Sequence, residues 1–229
     1  ADMEYHREVT DFTALVRSLT QADQDWLLQD LGFWQSKLRR EDQDDFFEYV
    51  FATRQEFRSL MAYRARRLAA ETGRTEASEY LQQRMPLQKF VSNLFLSTND
   101  IGPGLYLEHA FSTVVFARRI GMNCHINQNV TIGAAPSGIP EIGDNVEIRA
   151  GAIIIGGVHI GHNCRIGAGA VVVDNMPDGS VAVSPKATII TREEKAARKA
   201  ARNGTKQAGL GAWAAWWRAR PSRLNGRAT

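Results

Sequence analysis

The sequence has no run of eighteen apolar residues, so no segment reads as a membrane-spanning helix, and no signal-peptide pattern opens the chain. These absences lead to the expectation of a cytoplasmic protein. Cysteine is scarce: Cys124 and Cys164 are the only two in 229 residues, which is no disulfide framework. Acidic residues are nearly missing from one region. Residues 192–229 hold ten Lys and Arg against Glu193 and Glu194, so this tail carries +8 of a net +3 and leaves the rest of the chain at −5. The basic character therefore belongs to the tail, and no nucleic-acid-binding motif accompanies it.

What the chain does have is a period of six. Ile120, Ile126 and Ile132 are followed, after an interruption, by Ile142, Ile148, Ile154, Ile160, Ile166 and Val172. Glycine often comes next (Gly121, Gly143, Gly161), and the fifth position is small or β-branched (Cys124, Val130, Val146, Ala152, Val158, Cys164, Ala170). At about 100° per residue, six steps of an α-helix return to the wrong face. Six is a multiple of two, so each hexad suits a short strand with its Ile inward, and three strands suit one triangular coil of a parallel β-helix. The two cysteines then fall two coils apart, about 10 Å, beyond disulfide reach, and read as reduced core residues.

The flanks read differently. Residues 1–98 are expected to be helical, with Phe12, Leu15, Val16 and Leu19 on one face and a second helix opening at Thr20 with Trp26, Leu27, Leu31 and Trp34. A third helix should start near Asp42–Asp45 and run through Phe46, Phe57 and Leu68 to Gly73, with a fourth over 75–85. The β-helix is expected over 99–191, opening at Ile101, with hexads at Leu107 and Thr113 and a bulge near Arg118-Arg119. Residues 134–141 are too rich in turn residues for a strand and should loop out. In the tail, 192–229, an Ala/Lys/Arg helix should be broken by Gly204, Gly209 and Gly211. Trp213, Trp216 and Trp217 beside arginines suit either docking on the body or an interfacial contact with an anionic membrane at its inner face.

Gly104-Leu-Tyr-Leu-Glu-His-Ala110, Asn127-Gln-Asn-Val-Thr-Ile-Gly133 and Met176-Pro-Asp-Gly-Ser-Val-Ala182, together with the hexads, resemble the serine acetyltransferase branch of the hexapeptide-repeat acyltransferases. The resemblance implies an α+β chain: an N-terminal helical region, a left-handed parallel β-helix and, here, a basic tail. It also implies acetyl-CoA as donor, a homotrimer or dimer of trimers, and catalysis by His109 with Glu108 beside it. A β-helix metalloenzyme like the γ-class carbonic anhydrases would need a histidine pair four residues apart. His159 and His162 are three apart, so no metal is expected.

Counting eighteen residues per coil puts the hexad starts Leu107, Ile126, Ile148, Ile166 and Ser184 on one face. Their third residues form a column: His109, Gln128, Ala150, Ala168 and Lys186. A base at one end, small side chains between and a cation at the other suit a long acyl-CoA, with Gly133 and Ala134 as further donor-groove residues. Histidine near pKa 6.5 can take a hydroxyl proton as the oxygen attacks a thioester. Other histidines, His125 included, read as structural.

Two departures from the family shape the expected acceptor. The second histidine that the family places three residues before the Ile of the resumed repeat is Ile139 here, and the loop offers no cation, leaving Arg118 and Arg119 as the nearest candidates. The expected acceptor is therefore the hydroxyl of a sugar or polysaccharide, with serine as the alternative. The chain also lacks the family's terminal Ile that plugs cysteine synthase, so no such complex is expected.

Overall fold

The computed structural model describes residues 20–40, 46–71 and 93–218. Thirteen short parallel strands build a left-handed β-helix of three faces. One face stacks β1 (Leu94–Leu96), β3 (Thr113–Val115), β6 (Thr131–Gly133), β9 (Ile153–Ile155) and β12 (Val171–Val172). A second stacks β2 (Tyr106–Glu108), β5 (His125–Asn127), β8 (Glu147–Ile148), β11 (Arg165–Ile166) and β13 (Val181–Ala182). The third holds β4 (Arg119–Ile120), β7 (Glu141–Ile142) and β10 (His159–Ile160). Ile120, Ile126, Ile132, Ile148, Ile154, Ile160 and Ile166 are wholly buried along the axis. Each contributes roughly 1.5–3 kcal/mol, which explains why the repeat tolerates so little variation there.

The glycine after the Ile is fixed by close approach at one corner. A Cβ on Gly102, Gly121 or Gly143 would lie under 3.0 Å from the backbone of the next coil, so nothing larger fits there.

Register corrects the count in three places. β1 pairs with β3, so the coil begins at Leu94, inside the stretch expected to be helical. The inward residue of β3 is Val115, stacked on Leu96 and Ile132, rather than Thr113. Two extra residues therefore sit between Leu107 and Val115, and the step from Val115 to Ile120 is one short; the bulge lies at 109–112, not at Arg118-Arg119. In the last coil Met176 stacks on Ile160, and Ala182 on Ile166, both sixteen residues on. The step from Val172 to Met176 is four residues instead of six, which shortens that coil by two.

Three helices, α1 (Gln21–Leu38), α2 (Phe46–Thr53) and α3 (Gln55–Glu71), accompany the coil. The third expected helix is interrupted at Arg54, which separates α2 from α3. The stretches expected to be helical at 7–19 and 75–85 lie outside the described residues. What attaches the helices is a buried ion pair: Arg64 Nε lies 2.8 Å from Asp30 Oδ2, and Arg64 also donates to the carbonyls of Ile101 and Gly102. Asp30 Oδ1 accepts from the amides of Gly104 and Leu105 at 2.7 and 3.2 Å, and Trp34 Nε1 donates to Leu105 O at 2.8 Å. A buried pair is tolerable when its remaining valences are satisfied in this way. The Asp30–Arg64 pair thus clamps α1 and α3 onto the segment that leads into His109.

Residues 185–229 form a separate unit. Its helix α4 (Arg192–Arg218) is opened by a capping box, Glu194 N donating to Thr191 Oγ1 and Thr191 N to Glu194 Oε2. It runs unbroken through Gly204, Gly209 and Gly211. Each glycine costs about 1 kcal/mol relative to alanine, which the surrounding Ala, Lys and Arg offset.

Candidate active site

His109 stands where β2 ends, at the two-residue insertion. Its φ of 53° is left-handed, Phe111 N closes back on its carbonyl at 2.6 Å, and its side chain is exposed. The regular left-handed corner of the coil is occupied by Asn93, Ser112, Asn129, Gly151 and Gly169, so His109 is an additional one. A non-glycine residue held there costs on the order of 1 kcal/mol or more, and such strain clusters at functional positions. Among the described residues nothing hydrogen-bonds the imidazole, which leaves both ring nitrogens open to a ligand.

Glu108 does not orient that ring by a hydrogen bond within the chain. Its Oε2 accepts from Asn127 Nδ2 at 2.9 Å and lies 2.9 Å from His125 Nε2. The strand pairing explains the contact: Glu108 lies opposite Asn127, and Tyr106 opposite His125, whose rings meet edge-on at 4.9 Å. Burial alone would raise the Glu108 carboxyl, but the bond from Asn127 and the attraction of His125 and His109 hold it below the usual range. An ionised Glu108 only accepts, so neutral His125 must carry its proton on Nε2. His125 Nδ1 is then a buried acceptor with no partner among the described residues. Sequence reasoning missed His125, although pairing of the Leu107 and Ile126 hexads already puts it beside this carboxylate.

Glu108 and His109 open onto a polar cleft of about 250 Å³ between the coil and the helices. Its floor is Tyr106–His109. Its walls are the C-terminal end of α1, with Trp34, Lys37 and Arg39, and the α2–α3 joint, with Arg54 and Glu56. Arg118 and Arg119 do not line it. Arg119 faces Asp100 at 3.5 Å, so the cations near His109 come from the helical region instead.

The column expected from the sequence is aligned in part. β2, β5, β8 and β11 are in register, which aligns His109, Gln128, Ala150 and Ala168 along one corner. Ala150 is half-buried and Ala168 exposed, a low ridge, while Gln128 Oε1 is buried without a partner among the described residues. The shortened last coil puts Ser184 in the slot expected for Lys186, and Ser184 Oγ donates to Ala168 O. Lys186 belongs to the separate C-terminal unit. Gly133 and Ala134 lie at the end of β6, one corner further on.

The family described as bacterial transferase hexapeptide (six repeats) matches residues 140–174. The Neisseria gonorrhoeae serine acetyltransferase, solved in complex with serine, is 27% identical with a TM-score of 0.59, over 79% of this chain and 73% of that one. The Brucella abortus serine acetyltransferase is 25% identical with a TM-score of 0.58, over 79% and 73%. The chain is an acyltransferase with hexapeptide repeats, similar in structure to the serine acetyltransferases. A Brucella abortus serine acetyltransferase solved with coenzyme A shares the fold at 23% identity and a TM-score of 0.55, over 79% and 72%. No curated protein sequence matches the chain.

In this acyltransferase the loop 134–141 is a tight hairpin. Ala135 and Gly138 exchange backbone hydrogen bonds at 3.0 and 2.9 Å, and Gly157 N donates to Ser137 Oγ. Ile139 is half-buried in it.

The buried histidine gives the acyltransferase a pH-dependent stability. Burial holds the folded His125 below its ordinary value of about 6.5, Arg149 and Lys37 lower it further, and Glu108 opposes them. The unfolded chain therefore binds this proton more readily than the folded one. The contribution is complete above pH ~6.5 and is lost as pH falls toward the folded value. His125→Gln should thus show a smaller drop in Tm between pH 7 and 5.5 than wild type; equal drops would mean that His125 does not titrate in this way.

Proposed function

We propose that this acyltransferase moves an acetyl group from acetyl-CoA to the hydroxyl of a small acceptor, with His109 as general base. The observation that carries this reading is the strained, unpartnered His109 at the mouth of the polar cleft and at the head of the small-residue column. The acceptor hydroxyl gives its proton to an imidazole nitrogen as its oxygen bonds to the thioester carbonyl carbon. The tetrahedral adduct then expels the thiolate, which recovers the proton from the imidazolium, leaving an O-acetyl ester and free CoA. The acetyl-CoA arm would lie along Gln128, Ala150 and Ala168, whose small side chains let it approach the coil. The coenzyme A complex of the Brucella abortus relative supports acetyl-CoA as the donor.

Of the two acceptors considered from the sequence, the solved relatives favour serine, and none of them supports a sugar or polysaccharide. The missing loop histidine at Ile139 argued for a sugar, but Lys37, Arg39 and Arg54 supply cations from another side of the site. We expect kcat/KM for L-serine to exceed that for neutral sugars by roughly tenfold or more in steady-state assays. A sugar that outperforms L-serine would restore the sugar reading.

A trimer fits the coil's first face, where Phe95, Val114, Ile153 and Val171 are exposed in one row of aligned strands. A second copy would cover such a row. No described helix is long and apolar enough to cross a membrane, and contact of the basic α4 with an anionic surface rests on its charge alone.

A further inference from the structure

We infer that α4 lies along an anionic lipid surface, with one arc of its circumference against the headgroups, and so attaches the enzyme peripherally to a membrane. The inference rests on α4 alone and is independent of the acetyl-transfer reading.

Net charge would not by itself direct a helix to a surface; the placement of the charges does. An α-helix advances about 100° per residue, so Arg192, Lys195, Arg198, Lys199 and Arg202 all fall within about 120° of arc. Trp213 falls at the middle of the same arc. All six side chains are exposed, Trp213 at 59%. By register the sequence sets Lys206, Leu210, Trp216 and Trp217 on this arc as well. The remaining circumference carries mostly small residues, among them Ala196, Ala197, Ala200, Ala201 and Ala215. Both acids of the helix, Glu193 and Glu194, also lie off the arc, and Glu194 is held in the capping box with Thr191. No acid therefore interrupts the line of cations.

This distribution selects a lipid surface. A helix that docks on a protein core turns an apolar stripe inward, but the alanine side of α4 has no bulk to bury, and its large ring stands in line with the cations. Along the axis the cations come first and the tryptophans last. The basic half can thus rest on lipid phosphates while the aromatic end settles deeper, at the boundary of headgroup and acyl chain, where the amphipathic indole is favoured. The arc runs about 38 Å from Arg192 to Trp217 at about 1.5 Å per residue, which asks for an extended anionic surface rather than a pocket. A nucleic acid would satisfy the cations but offers the tryptophans no acyl boundary. The rest of the chain carries −5 and is repelled by such a surface, so attachment falls to the tail.

The test is co-sedimentation of the full-length protein with phosphatidylcholine vesicles that contain or lack phosphatidylglycerol. Binding is expected only to the anionic vesicles at low salt, and about 0.5 M salt should weaken it by about tenfold or more. The deciding variant keeps every charge and moves two of them to the alanine side: Arg198→Ala with Ala197→Arg and Arg202→Ala with Ala201→Arg, combined in one chain. Ala and Arg are both strong helix formers, so α4 should keep its circular dichroism. Partitioning should fall about tenfold in this variant and severalfold in Trp213→Ala, with acetyl transfer to a soluble acceptor unchanged in both. No binding to anionic vesicles, equal binding to neutral ones, or either variant binding like wild type would overturn the lipid-surface inference. Retention of single-stranded RNA on a filter with vesicles ignored would assign the arc to nucleic acid instead. Vesicle binding that follows these expectations in a protein with no acetyl transfer would sink the acetyltransferase reading and leave this one standing.

Discussion

Replacing His109 by alanine should lower acetyl transfer by roughly 10² to 10⁴-fold, the usual contribution of a positioned general base, while the protein stays folded. The effect should be large because His109 has no substitute nearby. His125 is 5% exposed, held below its ordinary pKa by burial and committed to Glu108. His159 and His162 lie in or beside β10, on another face of the coil. Alanine is poorly suited to a φ of 53°, so part of any loss could come from the backbone. His109→Asn controls for this, because asparagine adopts the left-handed region readily and supplies no base. Both variants should lose kcat and retain their affinity for acetyl-CoA. Near wild-type turnover in His109→Asn would remove His109 from the chemistry.

The β-helix was legible because its signal is redundant: the same inward position recurs in coil after coil, and the buried stack from Ile120 to Ile166 follows from it. What a period cannot give is where a coil gains or loses residues. The insertion around His109 was misplaced to Arg118-Arg119 because Thr113 and Val115 both face inward, and only the pairing of Val115 with Ile132 decides between them. The shortened last coil was invisible because Met176 breaks the Ile/Val pattern, and that error put Lys186 in the slot of Ser184. Glu108 and His109 were legible as a motif. Their surroundings were not, since Lys37, Arg39, Arg54 and Glu56 reach the cleft through long-range contacts such as the Asp30–Arg64 pair, between residues 34 positions apart, which leave no local pattern. The breaks expected at Gly204, Gly209 and Gly211 failed for a simpler reason: intrinsic propensity is a weak prior, outweighed here by the flanking residues.

The column makes the other large prediction. Ala168 is exposed on the corner that runs from His109 through Gln128 and Ala150, and tryptophan there adds a bulky ring to the ridge where the pantetheine arm would pass. The substitution points into solvent in the single chain, so the fold should hold, and His109 lies three coils away and should be undisturbed. Acetyl-CoA binding measured by calorimetry should fall below detection in Ala168→Trp, and Ala150→Trp, one coil nearer the base, should act in the same way. Binding of the acceptor alone should survive in both, because the cleft between α1, the α2–α3 joint and β2 is formed by other residues. That pairing of outcomes separates blockage of the groove from general damage. Unchanged acetyl-CoA affinity in both variants would mean that the donor lies along a different corner of the coil, and Gly133 and Ala134 at the end of β6 would then be the first positions to probe.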